Sequence, residues 1–98
     1  MGFVLTAEAE ADLDDIWFYT AGHSGSDVGS RLVDTLLDHF WLLARYPHMG
    51  RSRENDLRLG LRSFPVGEYV VFYPLQEQDV LMLRVVHGRR DLGALLSH

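Results

Sequence analysis

The sequence predicts a single α+β domain over residues 1–98, with a helical hairpin laid across one face of a small antiparallel sheet. Three observations predict it. Apolar residues recur at helical spacing from about residue 9 to residue 46. Beyond Pro47 the pattern changes to short runs dense in branched and aromatic residues, as strands require. At 98 residues, 47% of them hydrophobic, the chain can bury one core but not two.

The elements follow in order. Phe3 to Leu5 is a short apolar strand ending at Thr6, a good N-cap, and Glu8 and Glu10 then suit the positive end of a helix dipole. Leu13, Ile16, Trp17 and Thr20 form the inward stripe of that first helix, with Asp12, Asp15 and Tyr19 on the other side. The small, polar segment AGHSGS at 21–26 is expected to stop it and reverse the chain. A second helix runs from about Asp27 to Tyr46 on Val28, Leu32, Leu36, Phe40 and Leu43, and Pro47 ends it. The polar stretch 47–56 connects to three strands, Leu59 to Val66, Glu68 to Leu75 and Val80 to His87, which make a meander. Leu92, Leu95 and Leu96 suit a short closing C-terminal helix. The uncovered sheet face is expected to be open to a partner.

Charge excludes several functions. The net charge is −5, and residues 1–44 carry eight carboxylates against the single base Arg31, whereas residues 45–98 carry eight arginines against six acids. The chain has no lysine, so it lacks the broad basic surface on which direct DNA binding depends. The absence of cysteine excludes disulfides and thiol chemistry, and permits a cytoplasmic location. No apolar run is long enough to span a membrane, and the acidic N-terminus is unlike a signal peptide. His23, His39, His48 and His98 show no paired spacing, so neither a metal nor any other cofactor is expected. The acidic run Glu8, Glu10, Asp12, Asp14, Asp15 reads as a solvated face.

Four stretches carry a resemblance: LTAEAEADLDDIWFYTA at 5–21, FWLLARYPHMGR at 40–51, GLRSFPVGEYVVFY at 60–73 and LRVVHGRRDLGALL at 83–96. Together, and in this order, they resemble the toxins of the RelE/ParE superfamily of type II toxin-antitoxin modules, and LRSFPVGEYVVFY with RVVHGRRD is more similar to the ParE branch. The resemblance implies a toxin that restrains bacterial growth; ParE toxins are associated with inhibition of DNA gyrase, and the family name alone leaves the target open. The resemblance also implies a hetero-oligomer with a ParD-like antitoxin whose C-terminal segment wraps over the toxin. RelE-like toxins, by contrast, cut messenger RNA on the ribosome, and a non-toxic relative would keep antitoxin binding alone.

A nuclease needs a proton-handling group and cations at the phosphate. Arg62, Arg84 and His87 are the residue types available, with Tyr69 and Tyr73 as weaker candidates. Arg84 and His87 are three apart, which in a regular strand puts them on opposite faces, and His87 shares parity with Leu83 and Val85. An enzyme is therefore the less favoured reading. Gly88, Arg89, Arg90 and Asp91 form the sharper signal, because paired guanidinium groups after a glycine can meet a carboxylate-bearing partner. Arg62, Arg84, Arg89, Arg90 and Asp91 are thus the candidates for binding target or antitoxin. Phe18, about 140° from Leu13 around the first helix, and Trp41, about 180° from Leu32 on the second, should point away from the sheet as interface anchors.

Overall fold

The computed structural model describes residues 2–89. Strand β1 (Phe3–Leu5) leads into helix α1 (Ala7–Ser24) through Thr6, which joins helix to sheet. Its hydroxyl oxygen accepts from the Ala9 N–H at 3.0 Å and donates to the Leu83 carbonyl at 2.8 Å, so one side chain caps the helix and ties it to a distant strand. Ala9, Leu13 and Ile16 are the buried residues of α1.

The reversal is tighter than the composition of 21–26 predicts. Residues 21–24 stay helical, and Gly25 alone turns the chain, at φ 97°, before α2 (Ser26–Arg45) begins. Its N–H donates to the Ala21 carbonyl at 2.9 Å, and a positive φ of this kind suits glycine because a side chain would meet its own backbone. The helices then cross closely at Gly29, where a Cβ would lie 3.2 Å from the Trp17 carbonyl oxygen. Leu36, Phe40 and Leu43 bury the inner face of α2, as their spacing predicts, with Ala44 buried beside them and Val28 and Leu32 of the same stripe half-buried.

The sheet has more pieces than three strands. Strands β2 (Arg51–Ser52), β3 (Leu61–Val66), β4 (Tyr69–Pro74) and β6 (Arg84–His87) pair antiparallel in that order, while β1 pairs parallel with β5 (Val80–Met82). The predicted strand Val80 to His87 is divided at Leu83. Leu83 N–H donates to the Phe72 carbonyl at 2.8 Å while Arg84 stands in register with Phe72, two residues facing one, which is a β-bulge.

The bulge resets the side-chain alternation and corrects the parity argument. Met82 and Val85, three apart, both enter the core beneath the helices, whereas Leu83 packs on the far side with Leu61, Phe72 and Val86. His87 therefore does not share a face with Leu83. That far side is not open either, since Leu61 and Phe72 are fully buried and Leu57 of the 53–60 segment packs on them. Arg53 secures the segment: its guanidinium grips Asp56 through both Nε and Nη2, donates to Ser63 Oγ at 3.1 Å and lies 5.7 Å over the Phe72 ring. The expected closing helix, with Leu92, Leu95 and Leu96, lies outside the described residues.

Candidate functional site

The sheet edge along β6 is closed by a carboxylate. Asp12 accepts from Arg84 Nε at 2.8 Å, from Arg84 Nη2 at 2.9 Å and from the Val85 backbone N–H at 2.8 Å. Both side chains are largely sequestered, at 11% exposure for Asp12 and 20% for Arg84. The hydrogen bond to Asp12 pushes the Arg84 guanidinium still higher than its ordinary pKa, against the opposing effect of burial. Asp12 was expected on the outer face, in the solvated acidic run, and the structure corrects this. At 100° per residue it stands only about 40° from Ile16, so it flanks the buried stripe and reaches the edge of β6.

Arg62 is occupied differently. It stands opposite Tyr73 across β3 and β4, and its Nη1 donates to the carbonyls of His48 and Gly50, while its buried Nε has no partner among the described residues. Tyr73 completes the same loop: its hydroxyl donates to the Pro47 carbonyl at 2.8 Å and accepts from Gly50 N–H at 2.9 Å. Gly50 has to be glycine, since a Cβ there would lie 2.2 Å from that hydroxyl oxygen. Gly50→Ala is expected to cost about 2 kcal/mol through overpacking. Denaturant unfolding checks this, and an unchanged midpoint would show that the loop yields freely.

Burial pushes the Tyr73 hydroxyl above its ordinary pKa of 10.0, outweighing the lowering pull of the Gly50 N–H and of Arg62. Its stabilising contribution is therefore complete below the unfolded value and lost as the pH climbs through the higher folded one. Melting temperature is expected to fall more steeply above about pH 10 in the native sequence than in Tyr73→Phe. Parallel slopes would show that this hydroxyl does not titrate with unfolding.

The remaining candidates are dispersed. His87 is in register with Tyr69, at the opposite end of β4 from the Arg62–Tyr73 pair. It meets the Tyr69 ring edge-on with centroids 5.5 Å apart, stands 3.8 Å from Glu68, and its Nδ1 accepts from the Arg89 N–H at 3.2 Å. Arg62 and Arg84 lie on strands either side of β4, about 10 Å apart at the backbone from the usual strand spacing. Arg62, Arg84 and His87 thus form no common cluster. Arg89 is exposed, and Arg90 and Asp91 lie outside the described residues. Phe18 projects into solvent at 70% exposure; Trp41 is also exposed but leans edge-on against Phe3 of β1, with centroids 4.8 Å apart. No helix among the described residues is long and apolar enough to cross a membrane, and no three His, Asp or Glu side chains among them gather as a metal would require.

The sequence and the fold both match a known family. The sequence model of that family, described as the ParE toxin of the type II toxin-antitoxin system parDE, matches residues 3–92. The chain belongs to the ParE toxin family. It is similar to Toxin ParE3 of Caulobacter vibrioides, 37% identical over 99% of this chain and 97% of that protein. Toxin ParE1 of the same bacterium is 37% identical over 95% of each chain, and Toxin ParE1 of Mycobacterium tuberculosis 28% over 92% of each. A solved structure described as the chromosomal ParDE TA system from P. aeruginosa has the same fold, with a TM-score of 0.76 over 89% of this chain and 95% of that one at 19% identity. The ParE-branch resemblance of the four sequence stretches and the α+β expectation both hold. For this ParE-family chain, sequence reasoning missed that Asp12 holds Arg84 and that Tyr73 holds the loop on which Arg62 is anchored, although the position of Asp12 beside the buried stripe was a signal for the first.

Proposed function

We propose that the protein is a binding-type toxin that inhibits DNA gyrase and is silenced by a cognate ParD-like antitoxin. The observation that carries this reading is the internal commitment of its sheet arginines. Arg84 is held through Nε and Nη2 by Asp12, Arg62 is anchored through Nη1 to two loop carbonyls, and His87 stands at the far end of β4, so the three do not converge on one phosphate as a cleavage reaction would need. Family membership supplies the rest of the argument. Exposed Arg89, with Arg90, is the contact we assign to target or antitoxin, and the antitoxin's C-terminal segment is acidic and apolar, ordering as it binds. The toxin acts in the cytoplasm as a hetero-oligomer with that antitoxin, whose N-terminal domain binds the operator while this acidic chain does not.

The test is induction in growing bacteria with DNA supercoiling and transcripts followed together. Relaxed or broken DNA with intact transcripts is the expected result. Codon-phased cuts in messenger RNA would instead identify a RelE-like endoribonuclease, and unaffected growth a relative that keeps antitoxin binding alone. Either outcome overturns the gyrase reading.

A further inference from the structure

We propose that the groove between α1 and α2 docks a basic, amphipathic helical segment of a partner protein, on a surface separate from the arginine-bearing end of the sheet. The groove has a volume of about 370 Å³ and is lined by Glu10, Leu13, Asp14, Trp17 and Val33. Leu13 and Val33 make its apolar floor, and Glu10 and Asp14, both exposed, stand one helical turn apart on its rim. Neither carboxylate has an ion-pair partner among the described residues.

Helix geometry keeps this surface apart from the Asp12 clamp. Glu10 and Asp14 each lie two residues from Asp12, about 160° around α1, so Asp12 faces β6 while its two neighbours face the groove. Trp17 lies on the groove side as well, within about 60° of both. Its ring is held in place: Nε1 donates to Ser30 Oγ at 3.1 Å, and Phe18 meets it edge-on with centroids 5.3 Å apart. A fixed aromatic wall beside two unpaired carboxylates suits the stem and head of an arginine or lysine.

Charge selects the occupant. Residues 7–45 hold eight carboxylates against Arg31 and Arg45, and of the eight only Asp12 is in an ion pair among the described residues. Nucleic acid and acidic segments are repelled by that field. From Glu10 to Trp17 the groove follows about 10 Å of α1, the length of two helical turns. A partner helix with cations at i and i+4 and an apolar stripe between them can set its charges on Glu10 and Asp14 and its stripe on Leu13 and Val33. This surface is independent of which target the toxin inhibits.

The probe is a synthetic helical peptide carrying lysines at i, i+4 spacing beside a leucine stripe, titrated against the full chain, with a scrambled peptide of equal charge. The patterned peptide is expected to bind at least about tenfold more tightly than the scrambled one, and the Glu10→Gln, Asp14→Asn double variant to lose that advantage. The Asp38→Asn, Glu77→Gln double variant removes the same charge at exposed positions outside the groove and is expected to retain it. Equal binding of both peptides, or equal loss in both double variants, would reduce the effect to net-charge attraction and overturn the proposal. Self-association abolished by the Glu10 and Asp14 changes would overturn it too, by making a second copy of the chain the occupant.

Discussion

Asp12→Ala is expected to destabilise the domain by about 3 kcal/mol, because it leaves a sequestered guanidinium and a strand-edge N–H without an acceptor. For a domain of this size that corresponds to a fall in melting temperature of roughly 12–24 °C, at about 4–8 °C per kcal/mol. Arg84→Ala alone should cost less, since Asp12 would keep the Val85 N–H at 2.8 Å. The double variant should therefore be no worse than Asp12→Ala, and the cycle should return a coupling of about 1–3 kcal/mol. A loss below about 1 kcal/mol for Asp12→Ala would place the pair among ordinary surface ion pairs, which contribute little. The Val85 contact then could not be closing the edge of β6.

Replacing Arg89 and Arg90 together by alanine is expected to abolish growth inhibition while leaving the melting temperature unchanged. Arg89 is exposed, and among the described residues its one hydrogen bond is that of its backbone N–H to His87, so its side chain is not part of the described core. Surface changes of that kind usually cost less than about 0.5 kcal/mol. Growth inhibition should therefore vanish through lost binding and not through unfolding. Thermal melting and induction in the same strain separate the two. A double variant that stays fully toxic would move the target contact to another surface, and one that melts early would show that the arginines hold the fold.

What could be read from the sequence was whatever depends on neighbours a few residues apart. The stripes Leu13–Ile16 and Leu36–Phe40–Leu43 and the Thr6 cap are all local patterns, and each appears where its spacing places it. The clamp between Asp12 and Arg84 joins residues 72 apart, and no periodicity encodes a pairing at that range. The bulge at Leu83 was hidden for another reason. VLMLRVVH is apolar at nearly every position, so alternation cannot report where the faces exchange. The small residues of 21–26 misled in the opposite sense, because tertiary contact at Gly29 lets α1 continue to Ser24 where composition alone suggests a loop.

The pairing of β1 with β5 bears on the order in which the molecule assembles. Phe3 meets Val80 and Leu5 meets Met82, so the first strand has no partner until four-fifths of the chain has been synthesised. The helical hairpin relies on near neighbours and can collapse early, but the parallel pair and the Thr6 bond to Leu83 must close a loop spanning almost the whole polypeptide. A nascent chain interrupted before Val80 thus holds its amphipathic helices and unpaired β1 without the strand that joins them to the sheet. Emergence of residues 80–87 from the ribosome therefore sets the earliest moment at which a folded toxin can exist, and it makes interrupted synthesis a source of aggregation rather than of active poison.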